Sequence, residues 1–284
     1  MKVIHDLDEM RLLSRRSSLA GARVVLVPTM GYLHDGHRSL LKMGRAVGPD
    51  SLLVLSIFVN PAQFGPKEDL ASYPRDMACD LEMAGQEGVD IVFAPDAKAI
   101  YPAGFRTHVE VEGLGERLCG ASRPGHFSGV ATVVLKLFNI IEPDTAIFGE
   151  KDFQQLRIIR KMAEDLDLDL DIIGSPTVRD PDGLAMSSRN SYLDAKERRA
   201  AQCVPASIEA AKAAVSRGVG LSSAVIEEVK KIIEKEPLAM IDYVKVCDGD
   251  TLGDVDDITN GARLFLAVRI GRARLIDNCP LGRK

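Results

Sequence analysis

The sequence predicts a doubly wound α/β domain over residues 1–175, followed by a smaller α+β domain over residues 176–284 with a short antiparallel sheet. Three observations carry this expectation. Apolar runs of strand length alternate with segments of helical periodicity through the first part of the chain. Several of these runs close on glycine- or proline-containing loops, as parallel strands do where they hand over to a helix. Past Ser175-Pro176 the rhythm changes to two helical segments and a set of antiparallel-strand candidates.

Taken in order, residues 2–4 read as a short strand, and Asp6 opens a helix within residues 1–20. Residues 23–27 are a buried strand that leads into Pro28-Thr29-Met30-Gly31-Tyr32-Leu33-His34-Asp35-Gly36-His37. A helix follows over 38–47, where Leu40, Leu41, Met43 and Val47 fit helical spacing. Residues 51–59 are a second buried strand, ended by Asn60-Pro61-Ala62-Gln63-Phe64-Gly65 because Pro61 cannot continue the ladder. Residues 76–86 read as a helix, 89–93 as a third strand and 107–111 as a short strand. Arg123-Pro124-Gly125-His126-Phe127 reads as a loop and 129–141 as an apolar helix. A strand over 145–148 ends at Gly149-Glu150-Lys151-Asp152-Phe153-Gln154-Gln155, which becomes a helix through 165; residues 168–173 add one more strand. In the second domain, 178–190 is loop-like, 194–217 and 221–234 are helices, and 241–246 and 263–276 are antiparallel strands, the latter bent at Gly271. The parallel part is Rossmann-like.

Composition narrows the function classes. The net charge of −5 comes with no basic stripe, which argues against a nucleic-acid-binding surface. No apolar run approaches the ~18 residues of a membrane span, and Met1-Lys2-Val3-Ile4-His5-Asp6 lacks the layout of a signal peptide. The five cysteines are widely spaced with no Cys-x-x-Cys pair, so reduced thiols in a cytoplasmic protein are expected. Zinc held by His34, His37 and distant cysteines would lack the ligand spacing of structural sites.

The stretch from Pro28 to His37 is where chemistry concentrates. Gly31 and Gly36 let the backbone approach a ligand, and a new helix offers unpaired N–H groups and a positive dipole end. A Walker loop has similar glycine spacing but closes on Gly-Lys-Ser/Thr, and here His37 and Arg38 occupy those places. What remains is two histidines three residues apart that a helix start can direct at one phosphate. Gly149 with Lys151 forms a second phosphate-friendly turn.

Residues 28–37, 58–64, 123–127, 148–155 and 183–190, with Arg269-Ile270-Gly271-Arg272 and Leu275-Ile276-Asp277-Asn278, resemble the pantothenate synthetases (pantoate–β-alanine ligases) over nearly the whole chain. That family belongs to the nucleotidylyltransferase superfamily, which shares His-x-Gly-His with class I aminoacyl-tRNA synthetases. The resemblance implies ATP- and Mg2+-dependent condensation of (R)-pantoate with β-alanine to pantothenate through a pantoyl adenylate, releasing AMP and pyrophosphate, in a cytoplasmic homodimer. It also implies residue roles. Met30, Gly31, Tyr32, Leu33, His34, Asp35, Gly36 and His37 would contact ATP, with His34 and His37 on its phosphates. Gly149, Glu150, Lys151 and Asp152 would hold the adenosine and phosphates, and Val178 would meet the adenine through its main chain. Met186, Ser187, Ser188 and Arg189 would close on the triphosphate, as the counterpart of the synthetases' Lys-Met-Ser-Lys-Ser loop. Asn60, Gln63 and Gln155 would bind pantoate, and Arg123 and His126 would support the pocket wall near pantoate and β-alanine. His34, His37 and Lys151 would be catalytic. Two positions depart from the family pattern: Ala62 replaces a common methionine, and Cys79 replaces an acidic residue before Asp80, which leaves the magnesium ligands open.

Residue types alone allow other readings. Gln63 and Gln155 could equally satisfy backbone groups, Lys151 could be a solvated charge, Ser187 and Ser188 turn residues, and Arg123 with His126 a loop anchor. Other His-x-Gly-His enzymes leave the nucleotide on a phosphorylated acceptor, and a nucleotide sensor would not turn over. A pair of glutamines suits a small hydroxy acid better than a phosphate ester. No Ser/His/Asp or Cys/His arrangement stands out, which agrees with a noncovalent acyl adenylate.

Overall fold

The computed structural model describes residues 1–66 and 68–282. In chain order its main elements are β1 (Lys2–Ile4), α1 (Leu7–Leu19), β2 (Val24–Thr29), α2 (Asp35–Ala46), β3 (Leu52–Ile57), α3 (Met77–Gln86), β4 (Ile91–Phe93) and α4 (Ala97–Ile100). Next come α5 (Cys119–Ser122), α6 (His126–Ile141), β5 (Thr145–Gly149), α7 (Phe153–Asp165) and β6 (Asp171–Ser175). The last part holds α8 (Ala195–Ala200), α9 (Cys203–Ser216), α10 (Ser222–Ile233), β7 (Ala239–Asp248), β8 (Ala262–Ile270) and β9 (Ala273–Pro280).

The chain packs as two compact units. The first comprises Met1–Gly115, Arg123–Glu150 and Gln155–Pro176; the second comprises Glu116–Ser122, Lys151–Gln154 and Thr177–Lys284. The first is built on a six-stranded sheet in the order β1-β4-β3-β2-β5-β6, with every pair parallel. Successive side chains of a strand face opposite sides, and both sides are covered here. Val25, Val27, Leu53 and Leu55 pack with Leu40 and Leu41 of α2, while Val24, Leu26 and Val54 at the alternate positions are also fully buried. The order runs from β2 through β3 to β4 on one side and from β5 to β6 on the other, so the loops leaving the parallel neighbours β2 and β5 border the switch point where open α/β sheets take ligands.

The second unit is built on the antiparallel sheet β7-β8-β9. Its core joins Val225, Val229 and Ile233 of α10 and Val204, Ile208 and Ala211 of α9 to Leu264, Leu266 and Val268 of β8.

Several local expectations change, among them the loop read over 123–127, whose His126 and Phe127 already belong to α6. Residues 107–111 form no strand, because the Val109 N–H is taken by Thr132 Oγ1 of α6 at 2.9 Å instead of a neighbouring strand. The helix expected over 194–217 is broken between α8 and α9. Pro205 has no N–H to extend a continuous helix and is tolerated only in a first turn, so the Ala201 carbonyl accepts from Val204 at 3.0 Å. The strand expected over 263–276 is a hairpin, with Ile270 paired to Ala273 and only Gly271 and Arg272 in the turn. Gly271 has φ +54°, and a Cβ there would overlap the Glu197 carboxylate.

Candidate active site

The signature loop leaves β2 and enters α2 one turn earlier than periodicity suggested, so His34 is the N-cap and His37 the third helical residue. The two close a capping box. His34 Nδ1 accepts from the Gly36 N–H at 3.1 Å, and His37 Nδ1 accepts from the His34 N–H at 3.3 Å. With Nδ1 accepting in both rings, each neutral imidazole carries its proton on Nε2 and is a donor there. The ring centroids lie 4.1 Å apart. Two N–H donors at a helix N-terminus are suited to anionic oxygen.

Asp80 of α3 holds the turn that precedes these histidines. Its carboxylate accepts from the Tyr32 N–H at 2.9 Å and the Leu33 N–H at 2.6 Å. Tyr32 has φ 52°, a left-handed conformation that costs a non-glycine residue about 1–3 kcal/mol. Gly31, at φ +80°, has no room for a side chain: a Cβ would lie 2.9 Å from both Asp80 Oδ2 and Ile57 Cγ2. Burial pushes the Asp80 carboxyl above the ordinary carboxylate value against the pull of the two amides, and nearby Asp76 adds to the rise. A cavity of about 490 Å³ is lined by Met30, Gly31, Tyr32, Ile57, Phe58, Asp76 and Asp80, at the carboxyl ends of the strands.

The loop after β3 makes a 3-10 turn at Pro61–Gln63, capped by Asn60. Asn60 spends its hydrogen-bonding capacity on the protein. Its Nδ2 donates to Gln63 Oε1 at 3.0 Å and to the Gly129 carbonyl at 3.1 Å, and its Oδ1 accepts from the Ala62 N–H and the Tyr101 hydroxyl. Burial pushes the Tyr101 hydroxyl up to about 12 despite its bond to Asn60, so it stays a donor at neutral pH. Asn60 thus holds Gln63, while among the described residues the Gln63 Nε2 donates to the Met30 thioether, 3.1 Å away. A thioether is a weak acceptor that a ligand oxygen can replace. That contact also brings the pantoate-assigned turn to the ATP-assigned loop.

Arg123 and His126 hold the same turn from behind. Arg123 donates to both oxygens of Glu68 at 2.6 Å and to His126 Nε2 at 2.9 Å. An arginine can only donate, so His126 carries its proton on Nδ1 and gives it to the Gln63 carbonyl at 2.8 Å. Glu68 lies below the ordinary carboxylate value: burial raises it, but the bonds from Arg123 outweigh that. Gly149 closes β5 and Glu150 starts the next turn, while Gln155 is half-buried on α7.

Within the second unit, Lys151 is largely covered and its Nζ lies 3.8 Å from Asp152 Oδ1. The Met186 N–H donates to the Val178 carbonyl at 3.0 Å, which ties the Met186–Arg189 segment to the adenine-assigned position. Ser187 caps the 3-10 turn Ser188–Tyr192 by accepting the Arg189 N–H, and Ser188 is buried.

A model of the pantoate–β-alanine ligase family matches residues 2–280. The chain belongs to this family. It is 53% identical to the pantothenate synthetase of Syntrophotalea carbinolica over 278 residues, 98% of each chain. It is 51% identical to that of Geobacter sulfurreducens over 282 residues, 99% of each. Among solved structures it is similar to the pantothenate synthetase of Thermus thermophilus, with 40% identity, a TM-score of 0.93 and full coverage of both chains. The pantoate–β-alanine ligase of Francisella tularensis, solved with β-γ ATP and β-alanine, matches with 32% identity and a TM-score of 0.80 over 99% of this chain and 98% of that one. The parallel sheet followed by a small antiparallel sheet is the architecture of pantoate–β-alanine ligases.

The roles of Asp80, Glu68, Tyr101 and Gly129 had no signal in the sequence. Gly129 lies under the turn at Ala62 and Gln63, where a Cβ would overlap the Ala62 carbonyl and sit 2.7 Å from the Gln63 nitrogen. Cys79 is exposed, and its N–H caps onto Asp76 at 3.1 Å.

Proposed function

We propose that this chain condenses (R)-pantoate with β-alanine in two steps, with the residues acting as follows. The pantoate carboxylate attacks the α-phosphorus of ATP, the bond from that phosphorus to the bridging oxygen breaks, and pyrophosphate leaves. The β-alanine amine then attacks the acyl carbon of the adenylate; AMP leaves and the nitrogen gives up a proton. Both steps gather negative charge on phosphoryl oxygens, so the protein's work is positioning and electrostatic stabilisation. The observation that carries this reading is the capping box, which commits both Nδ1 atoms and makes His34 and His37 Nε2–H donors together. Met30–His37, Gly149, Glu150, Lys151, Asp152, Val178 and residues 186–189 serve ATP in this reading. The Gln63 and Gln155 amides serve pantoate, and Asn60, Arg123 and His126 position Gln63.

Magnesium supplies charge neutralisation on the leaving pyrophosphate. Among the described residues no three His, Cys, Asp or Glu side chains gather as a metal cage. An ion carried on phosphate oxygens and keeping much of its water would need few protein ligands. Asp76 of the cavity wall is the carboxylate that would reach it, since Asp80 is buried and spent on the Tyr32 and Leu33 amides. A cytoplasmic homodimer completes the proposal on family grounds. No helix among the described residues is long and apolar enough to cross a membrane.

Mass spectrometry of products from ATP, Mg2+, (R)-pantoate and β-alanine tests the reaction, with pantothenate and AMP expected. Without β-alanine, a burst of pyrophosphate stoichiometric with active sites is expected, followed by slow release. A product that retains the nucleotide, or pyrophosphate released only with all three substrates, would overturn the stepwise adenylate.

A further inference from the structure

Two successive side chains of β9, Asp277 and Asn278, hold two separate parts of the second unit. Asn278 Nδ2 donates to the main-chain oxygen of Lys151 at 3.0 Å, and its Oδ1 accepts from Arg263 Nη1. The Arg263 guanidinium lies 3.7 Å from the centre of the Phe153 ring. Residues 151–153 are thereby tied to the β8–β9 hairpin at two points. Asp277 accepts two hydrogen bonds from Arg179, at 2.6 and 3.0 Å. Arg179 bridges to Ala185 through the backbone and donates to the Gly183 carbonyl at 3.0 Å, so it braces the base of the loop that continues into Met186, Ser187, Ser188 and Arg189. The Asn278 backbone N–H donates to Asp277 Oδ1 at 2.8 Å, which fixes the Asp277 carboxylate against the main chain of its neighbour.

Burial makes these bonds consequential. Asp277 is 2% exposed and Asn278 5%, so a polar group left unpaired there has no water to turn to. Nothing in the fold of a three-stranded hairpin sheet requires a carboxylate and an amide at successive buried positions of one strand. What they hold are the two phosphate-directed parts of the second unit, whose reference points are 127 and 98 residues away along the chain.

We propose that Asp277 and Asn278 are positioning residues, a crosspiece that fixes the Lys151 backbone and the base of the 186–189 loop to one strand. The two groups then keep a common geometry and move as one body. This inference rests on the reading of Lys151 and the loop as triphosphate ligands, and neither Asp277 nor Asn278 touches substrate in it.

A double-mutant cycle on pyrophosphate release tests the inference, using the full chain with ATP, Mg2+ and pantoate. Asn278→Ala removes the tether to Lys151. Asn278→Asp removes the same donor but keeps an acceptor for Arg263, and it serves if the alanine variant does not fold. Either variant should slow pyrophosphate release on the order of tenfold and raise the KM for ATP, with the KM for pantoate unchanged. In a Lys151→Ala background the same substitution should change the residual rate by less than about twofold, because the group it positions is gone. Asp277→Asn with Arg189→Ala should show the same non-additivity. An equal loss in both backgrounds would mean a merely structural role and overturn the proposal, as would an unimpaired Asn278→Asp beside an impaired Lys151→Ala. Near-normal pyrophosphate release in Lys151→Ala would instead overturn the assignment of Lys151 on which the proposal stands.

Discussion

Replacing Asp80 by Asn separates the stability of the signature loop from its geometry. The carboxylate accepts both the Tyr32 and the Leu33 N–H, whereas an amide offers one acceptor and turns N–H groups toward the other donor. Losing one charge-assisted bond costs about 1.5–3 kcal/mol. Part of that loss is returned, because the buried carboxylate is itself disfavoured and its charge is removed. A net destabilisation of about 1 kcal/mol is expected, a shift of roughly 2–4 °C in the unfolding midpoint. Turnover should suffer more. Tyr32 and Leu33 immediately precede His34, and with one bond gone the left-handed Tyr32 relaxes; a displacement of about 1 Å at a catalytic group costs on the order of 100-fold. The pH dependence carries its own sign. With the folded pKa raised, the folded chain binds more protons than the unfolded chain between the ordinary and the raised value, so stability falls as pH rises through that window. Activity should rise through the same window, because only the ionised group accepts both amides. Thermal unfolding and pyrophosphate release, each measured across the acidic range, should show both trends in the difference between the parent and Asp80→Asn, with Glu68 and the other carboxylates titrating alike in both. Parental release rates in Asp80→Asn, with an unchanged acid limb, would refute the role of Asp80.

Other consequences can be measured directly. His37→Ala should cut the pyrophosphate burst by about 100-fold while pantoate binding changes little, which rapid quench and equilibrium titration would report. Gly129→Ala should push the turn at Ala62 and Gln63 outward and raise the KM for pantoate by roughly tenfold, with that for ATP nearly constant; an unaltered pantoate KM would contradict the close packing. Glu68→Gln should lower stability by about 1–2 kcal/mol at neutral pH. The folded pKa of Glu68 is depressed, so its contribution is present above the unfolded value and lost as pH falls through the folded one; denaturant midpoints of Glu68→Gln and parent should therefore converge in acid.

What the sequence determined by itself is local. A buried β2, the loop with Gly31, His34 and His37, and a helix behind it lie within a stretch of some two dozen residues, and periodicity and capping chemistry act over that range. Asp6 and Asp76 were legible as helix starts for the same reason, and both cap. The family could be read because its motifs are contiguous segments. What only the tertiary structure decided are bonds between distant residues. Glu68 meets Arg123 across 55 residues, Asp80 meets Tyr32 across 48, and Asn278 meets Lys151 across 127. A side chain that closes such a distance leaves no period in the sequence. Arg123 and His126 look alike whether they face a ligand or, as here, the carbonyl behind Gln63. Gly271 shows the same limit at short range. One glycine in an apolar run can bend a strand or end it, and the pairing of Ile270 with Ala273 depended on which partner strand was within reach.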